Sequence, residues 1–334
     1  MSASEIIGHS RQIAALQADI DTGNISHAYL FAGPAHLGKM TIARWFAEEL
    51  ILQGIPDEER QGVLDRMERL IHPDFLVLDQ LWMDEVQDDW DKIAETSNIP
   101  QSHRAKQPKM KTDVIGIDDV RVIQERLQET GETPRRCCII RKVERMRDEA
   151  ANAFLKTLEE PPPGRVFILT TDNISSILPT VISRSRVITF HPLSTKEMHP
   201  LVEGLSDDDV RFLLHVALGA PGVVIRLRDD AEALRSEKLL QTQARSLWGT
   251  TSLRERIKLL EPLDERGADA ERFLQHLALA LRDSPHASPA RAKALLALAR
   301  GLKTNAHREL LIQRFAMGAS PVSSPPTRRN GLAV

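Results

Sequence analysis

The apolar residues of the first 190 or so positions fall into two rhythms. Short unbroken runs predict strands buried on both faces: Ala28-Tyr29-Leu30-Phe31-Ala32, Phe75-Leu76-Val77-Leu78, Cys137-Cys138-Ile139-Ile140, Val166-Phe167-Ile168-Leu169-Thr170 and Val187-Ile188-Thr189-Phe190. Between them the spacing lengthens to that of a helix. Ile13, Leu16, Gln17 and Ile20 share one face before Gly23 breaks the run, and Met40 to Leu52 follows the first strand as another helix. From Arg147 to Glu160 the apolar face is Ala150, Ala153, Phe154 and Leu158, and Pro161-Pro162-Pro163 ends the helix because proline has no N–H for its ladder. Strands alternating with helices predict a parallel sheet with flanking helices. After Pro192 the strands stop and helical spacing takes over, as in Ala290 to Leu302 with Ala294, Leu295, Leu298 and Leu302 on one stripe. Gly219-Ala220-Pro221-Gly222 and Ser284-Pro285 are natural breaks in this region, and no internal repeat is visible.

Composition narrows the class. With 334 residues, 42% of them hydrophobic, the chain can bury more than one core, so two or three domains are expected. A net charge of -3 gives no global footprint for nucleic acid, and any DNA contact must be local or made within an assembly. The two cysteines, Cys137 and Cys138, are neighbours in a strand and point to opposite faces. They make a poor disulfide and no metal site alone, which fits a reducing cytoplasm. The start, MSASEIIGHSRQ, lacks a basic segment followed by an apolar run, so no signal peptide is expected. No apolar stretch reaches the ~18 residues a membrane span needs.

Between about 80 and 112 the chain turns acidic and then basic. Asp79, Asp84, Glu85, Asp88, Asp89, Asp91 and Glu95 precede Arg104, Lys106, Lys109 and Lys111, with Trp82 and Trp90 among the acids. The segment reads as a solvated loop, or else as a docking insert with aromatic anchors.

The stretch from Gly33 to Thr41 nearly fits the P-loop pattern G-x-x-x-x-G-K-[ST], in which backbone N–H groups and a helix N-terminus cradle phosphate and the hydroxyl holds magnesium. Gly33, Gly38 and Lys39 are in place, between a predicted strand and a predicted helix. Met40 stands where the Ser or Thr belongs, and a thioether is a poor ligand for a hard cation. Thr41 comes one residue late, a rotation of about 100° on a helix. His36 occupies a position often filled by glycine and crowds the phosphate site. A later strand of P-loop NTPases ends in an Asp that supports magnesium, followed in AAA+ proteins by a Glu that orients water. Here Arg141 and Lys142 follow Ile140, and neither can hold magnesium or act as a base. They read as a decayed site, or alternatively as cations that neutralise phosphate without metal. Glu144 lies two residues too far to restore the acid.

Several further motifs share one resemblance. Glu149-Ala150-Ala151-Asn152-Ala153-Phe154-Leu155-Lys156-Thr157-Leu158-Glu159-Glu160-Pro161-Pro162-Pro163 resembles the signature of bacterial clamp-loader AAA+ subunits. Ile182-Ser183-Arg184-Ser185 is similar to their Ser-Arg-Cys motif, with Ser185 in place of the cysteine. Ile7-Gly8-His9, His27-Ala28-Tyr29-Leu30-Phe31 and His72-Pro73-Asp74 also match, and the later helices match more weakly through Gly219-Ala220-Pro221-Gly222 and Asn305 to Ile312. The family's four-cysteine zinc module is missing after the P-loop helix, so no zinc is expected. The family's lid arginine corresponds to Gly222, and Thr170 and Thr171 fall in its sensor region.

The resemblance implies an AAA+ α/β P-loop domain over 1–192, including the insert at about 80–112. It implies a small helical lid over 193–235, an all-helical collar over 236–318 and a disordered tail over 319–334. Loss of the acidic pair with the Ser-Arg motif retained implies the delta-prime type, without ATPase activity of its own. Its partners would be the gamma/tau and delta subunits, with the sliding clamp and primed DNA reached through the assembly. Arg184 then takes the role of an arginine finger acting in trans; the alternative for it is an exposed helix-end salt bridge. No cofactor is required, and passive ATP binding through Gly33, Gly38, Lys39 and Thr41 stays open. Three rivals remain: an active gamma/tau-type ATPase with unusual motifs, a P-loop kinase or metabolic NTPase, and a DNA-binding AAA+ protein. The second leaves the Leu-Lys-Thr-Leu-Glu-Glu-Pro-Pro-Pro run unexplained, and the third lacks a basic, aromatic-studded face.

Overall fold

The computed structural model describes residues 5–82, 93–105, 113–284, 287–304 and 306–318. Most of the 80–112 insert's charges and the whole 319–334 tail therefore lie outside the described residues. The chain divides into two compact units. One runs through Gly204 and takes back Ala217–Val223; the other takes Leu205–Val216 and the chain from Val224 onward.

In the first unit the five apolar runs form β1 (Ala28–Ala32), β2 (Phe75–Leu78), β3 (Arg136–Ile140), β4 (Arg165–Thr171) and β5 (Arg186–Thr189). They make one five-stranded sheet in the order β2-β3-β4-β1-β5, with every pairing parallel. Leu30 of β1 lies opposite Leu169 on one side and Val187 on the other. Every residue of β1, β2 and β3 is buried, as expected for a parallel sheet covered on both faces.

Side chains alternate across the sheet with a period of two. Tyr29, Phe31, Phe75, Val77, Ile139 and Ile168 join one core with the helices Ser10–Thr22, Lys39–Ile51 and Asp57–Glu68. Leu30, Leu76, Leu78, Ile140, Phe167 and Leu169 join the other, against Ile117–Gln128 and Asp148–Glu159. Cys137 packs in the first core and Cys138 in the second, both as free, buried thiols, and burial pushes the Cys138 thiol up to about 12. This is the AAA+-type α/β arrangement that the motifs imply.

The described parts of the 80–112 insert are partly packed and partly exposed, Glu95 among the exposed residues. Leu81, Trp82, Ile93 and Ile99 are buried, and so is Arg104, whose guanidinium meets Asp119 at 2.6 Å and the Trp82 carbonyl at 3.1 Å. Asp119 also accepts the Gly116 N–H at 2.8 Å, capping the helix Ile117–Gln128.

The second unit is helical among its described residues. Ala231–Gly249, Ala268–Asp283, Pro289–Leu302 and Arg308–Gly318 share a core that includes Trp248, Phe273, Leu277, Leu298 and Phe315. The Trp248 indole donates to the Leu277 carbonyl at 3.0 Å, so its polar edge is satisfied. Glu237, Arg256 and Arg291 are charged groups buried here, and Glu237 meets His276 at 2.6 Å, Arg226 at 3.3 Å and Arg272 at 3.4 Å. Among the described residues no helix is long and apolar enough to cross a membrane.

The His72-Pro73-Asp74 motif leads into β2 and anchors it. The fully buried Asp74 carboxylate accepts from Arg136 Nε at 3.0 Å, from the N–H groups of Glu132 and Thr133 at 2.8 and 2.7 Å, and from the Thr133 hydroxyl at 2.9 Å. Burial alone would raise its pKa. The donors outweigh burial and hold it below the ordinary carboxylate range. Its stabilisation is therefore complete above the unfolded value of about 3.9 and disappears as pH falls through the lower folded one. Asp74→Asn leaves Arg136 buried without its counter-charge and should destabilise the protein by about 3–5 kcal/mol. Urea unfolding near neutral pH tests that loss, and the variant should also lack the part of the acid-induced weakening that Asp74 contributes.

Candidate functional site

The loop from Gly33 to Gly38 joins the end of β1 to the helix Lys39–Ile51, as a P-loop does. Gly33 holds φ 155° with its Cα against β5's exit, where an added Cβ would stand 2.4 Å from the Phe190 carbonyl oxygen. Only glycine fits there. His36 takes a left-handed φ of 62° and Gly38 one of 85°. His9 braces the loop, its Nε2 lying 2.7 Å from the Leu37 carbonyl. A carbonyl only accepts, so Nε2 carries the proton; burial lowers the pKa of this imidazole, which favours its neutral form.

Lys39 is the centre of the site and is almost fully buried. Its ammonium has three donors and three close acceptors: the carbonyls of Gly33 and Pro34, each at 2.6 Å, and Asp172 Oδ1 at 2.9 Å. The group that should meet phosphate is therefore saturated by its own loop and by the residue that follows β4. Met40 packs against the apolar core, and Thr41 is exposed. The structure thus gathers Gly33, Gly38 and Lys39 around one loop and leaves Thr41 out of it.

Beyond β3 the two cations that replace the acids have partners of their own. Arg141 Nη1 meets both oxygens of Asp79, at 2.8 and 2.9 Å, so the end of β3 is tied to the end of β2. Lys142, in the left-handed region at φ 54°, lies 3.5 Å from Asp172 Oδ2 and donates its N–H to Thr170 Oγ1 at 3.1 Å. Glu144 accepts the Asp172 N–H at 3.0 Å. Asp172 thus stands between two lysines, Lys39 of the loop and Lys142 after β3. Neither Asp172 nor Asp79 was singled out by motif spacing. Asp79 read as the first of an acidic run, and only the adjacency of β2 and β3 pairs it with Arg141.

Gly222, which the resemblance sets against the lid arginine, donates its N–H to the His36 carbonyl at 2.9 Å. An added Cβ would lie 3.0 Å from that oxygen, so a longer side chain here must push the loop away. The donor set does not suit magnesium nucleotide: the lysine is engaged, the hydroxyl is displaced and the acids are cations.

Arg184 lies apart from this loop, at the C-terminal end of the short helix Pro179–Ser183. Its side chain is 35% exposed, with Nη2 on Glu159 Oε1 at 2.8 Å and Nη1 reaching the Thr180 carbonyl at 3.2 Å. The exposed helix-end salt bridge considered from sequence is present. It belongs to a guanidinium that remains accessible.

Residues 8–194 match the family described as DNA polymerase III, delta subunit. The gamma/tau subunit of Mycobacterium tuberculosis is 27% identical over 75% of this chain. The delta' subunit of Bacillus subtilis is 26% identical over 79% of this chain and 68% of its own length. The chain covers only 41% of the length of the mycobacterial gamma/tau relatives. A gamma subunit-related protein of DNA polymerase III from Thermotoga maritima shares the fold, with a TM-score of 0.52 and 21% identity over 92% of this chain and 98% of that one.

If Lys39 is a strut, Lys39→Ala should act on stability. Removing it strands two loop carbonyls and weakens the hold on Asp172, a loss of about 1–3 kcal/mol measurable by thermal melting. The wild-type melting temperature should not move when ATP and magnesium are added; a ligand-dependent rise would reverse this reading.

Proposed function

The chain belongs to the DNA polymerase III clamp-loader subunit family, and we propose that within it the chain is the delta-prime type: a cytoplasmic subunit that hydrolyses no ATP and lends Arg184 to a neighbour's nucleotide. The observation that carries this reading is the saturation of Lys39 by Gly33, Pro34 and Asp172, together with cations at both acidic positions after β3. A site so arranged leaves phosphate no disengaged P-loop ammonium and magnesium no acidic pair after β3. The gamma/tau-type ATPase, the runner-up, needs both.

Arg184 suits the trans role for three reasons. It is outside the chain's own loop, it is accessible, and it ends a helix whose Ser-Arg motif is kept although the local nucleotide site is not. A guanidinium brought to a developing phosphate charge contributes about 10³–10⁵ in rate where arginine fingers have been measured. In this reading the subunit is a fixed wall of the assembly. It contributes one charge across an interface with a gamma/tau-type neighbour while a delta subunit, the sliding clamp and primed DNA complete the machine.

The isolated chain should show no ATPase activity. In a complex reconstituted with gamma/tau, delta, clamp and primed DNA, Arg184→Ala should lower the DNA-dependent ATPase rate while size-exclusion chromatography shows the complex still assembled. ATP hydrolysis by the isolated chain, or an unaltered rate with Arg184→Ala, would return the reading to a gamma/tau-type enzyme.

A further inference from the structure

The helix Asp148–Glu159 ends on Glu159, and its position is set firmly. Ala150, Ala151, Phe154 and Leu158 bury the helix against the sheet, the Glu160 N–H closes the last turn onto the Lys156 carbonyl, and Pro161 to Pro163 forbid another turn. Glu159 itself is half-exposed. Arg184 is held much less firmly than its partner. One carboxylate oxygen takes Nη2 at 2.8 Å, while Nη1 has only the Thr180 carbonyl at 3.2 Å and the Ser183 hydroxyl at 3.5 Å. The pair is monodentate and wet. An exposed ion pair of this kind shifts an equilibrium by no more than about fivefold.

A phosphate and a carboxylate compete for the same guanidinium edge, since both accept its N–H donors. A carboxylate left beside the phosphate would also repel it. To meet a γ-phosphate, Nη2 must therefore leave Glu159.

We propose that Glu159 is a positioning residue that parks Arg184 by competing for its guanidinium, and so sets how readily the arginine engages a neighbour's nucleotide. The proposal rests on the trans role of Arg184. In the free chain the two side chains neutralise each other on a fixed helix end. In the assembly the phosphate, with more charge and more acceptor oxygens, displaces the carboxylate. The partner is a nucleoside triphosphate held by another subunit, and the carboxylate is the threshold it must overcome.

Glu159→Gln keeps the shape and a carbonyl acceptor but removes the charge. In the complete complex, with clamp and primed DNA, it should raise the ATPase kcat/KM by about two- to fivefold, the range set by an exposed pair. Glu159→Asp keeps the charge and should stay near wild type. With Arg184→Ala already present, Glu159→Gln should add nothing, because the carboxylate acts only through that arginine. A merely structural role would give the same change with or without Arg184. No gain from Glu159→Gln, while Arg184→Ala still lowers the rate, overturns the parking role and leaves the finger intact. An inert Arg184→Ala removes both.

Discussion

An ammonium group can donate three hydrogen bonds, and the organisation of this protein's sheet edge depends on where Lys39 sends them. In this chain all three acceptors are internal, two from the loop after β1 and one from Asp172 after β4. Asp172 also faces Lys142 and gives its N–H to Glu144, both in the segment after β3. Arg141 of that segment is paired with Asp79 after β2. The carboxyl ends of four neighbouring strands are thereby linked through charged contacts at the crevice where ligands of open α/β sheets ordinarily bind. Buried charges are costly unless paired, and here each has its partner. The buried lysine and the aspartate after β4 satisfy each other within the chain itself.

The loop after β1 is held from both sides, by His9 on Leu37 and by Gly222 on His36. Arg184, by contrast, ends a short helix partly exposed, with a half-exposed glutamate as its ion-pair partner and longer contacts to Thr180 and Ser183. The buried Asp74 knot plays the same part for a sequence motif: the residues leading into β2 that look like a signature hold β2 against β3.

The boundaries between what patterning reveals and what it hides are physical. The five apolar runs were legible because a parallel strand covered on both faces must be apolar throughout, and Cys137 and Cys138 divide between the two cores as a period of two requires. The charged segment at 80–112 was not legible. Arg104 reads as one of a basic cluster, yet it is buried on Asp119 because that carboxylate also caps a helix folded over it. Charge along a chain says nothing of whether its counter-charge arrives from another element.

The sequence by itself determined the strands, their alternation with helices and the near P-loop pattern with Met40 in place of its hydroxyl, because these follow from residue type and local spacing. It also picked out Arg184 through the motif around it. Only the tertiary structure decided that Lys39 is spent on Asp172, 133 residues away, that Arg141 belongs to Asp79, and that Glu159 holds Arg184. Those are contacts between strand ends and helix ends brought together by the β2-β3-β4-β1-β5 order. A pairing between side chains distant in sequence has no signature in either stretch alone; it exists only once the sheet has set the strands side by side.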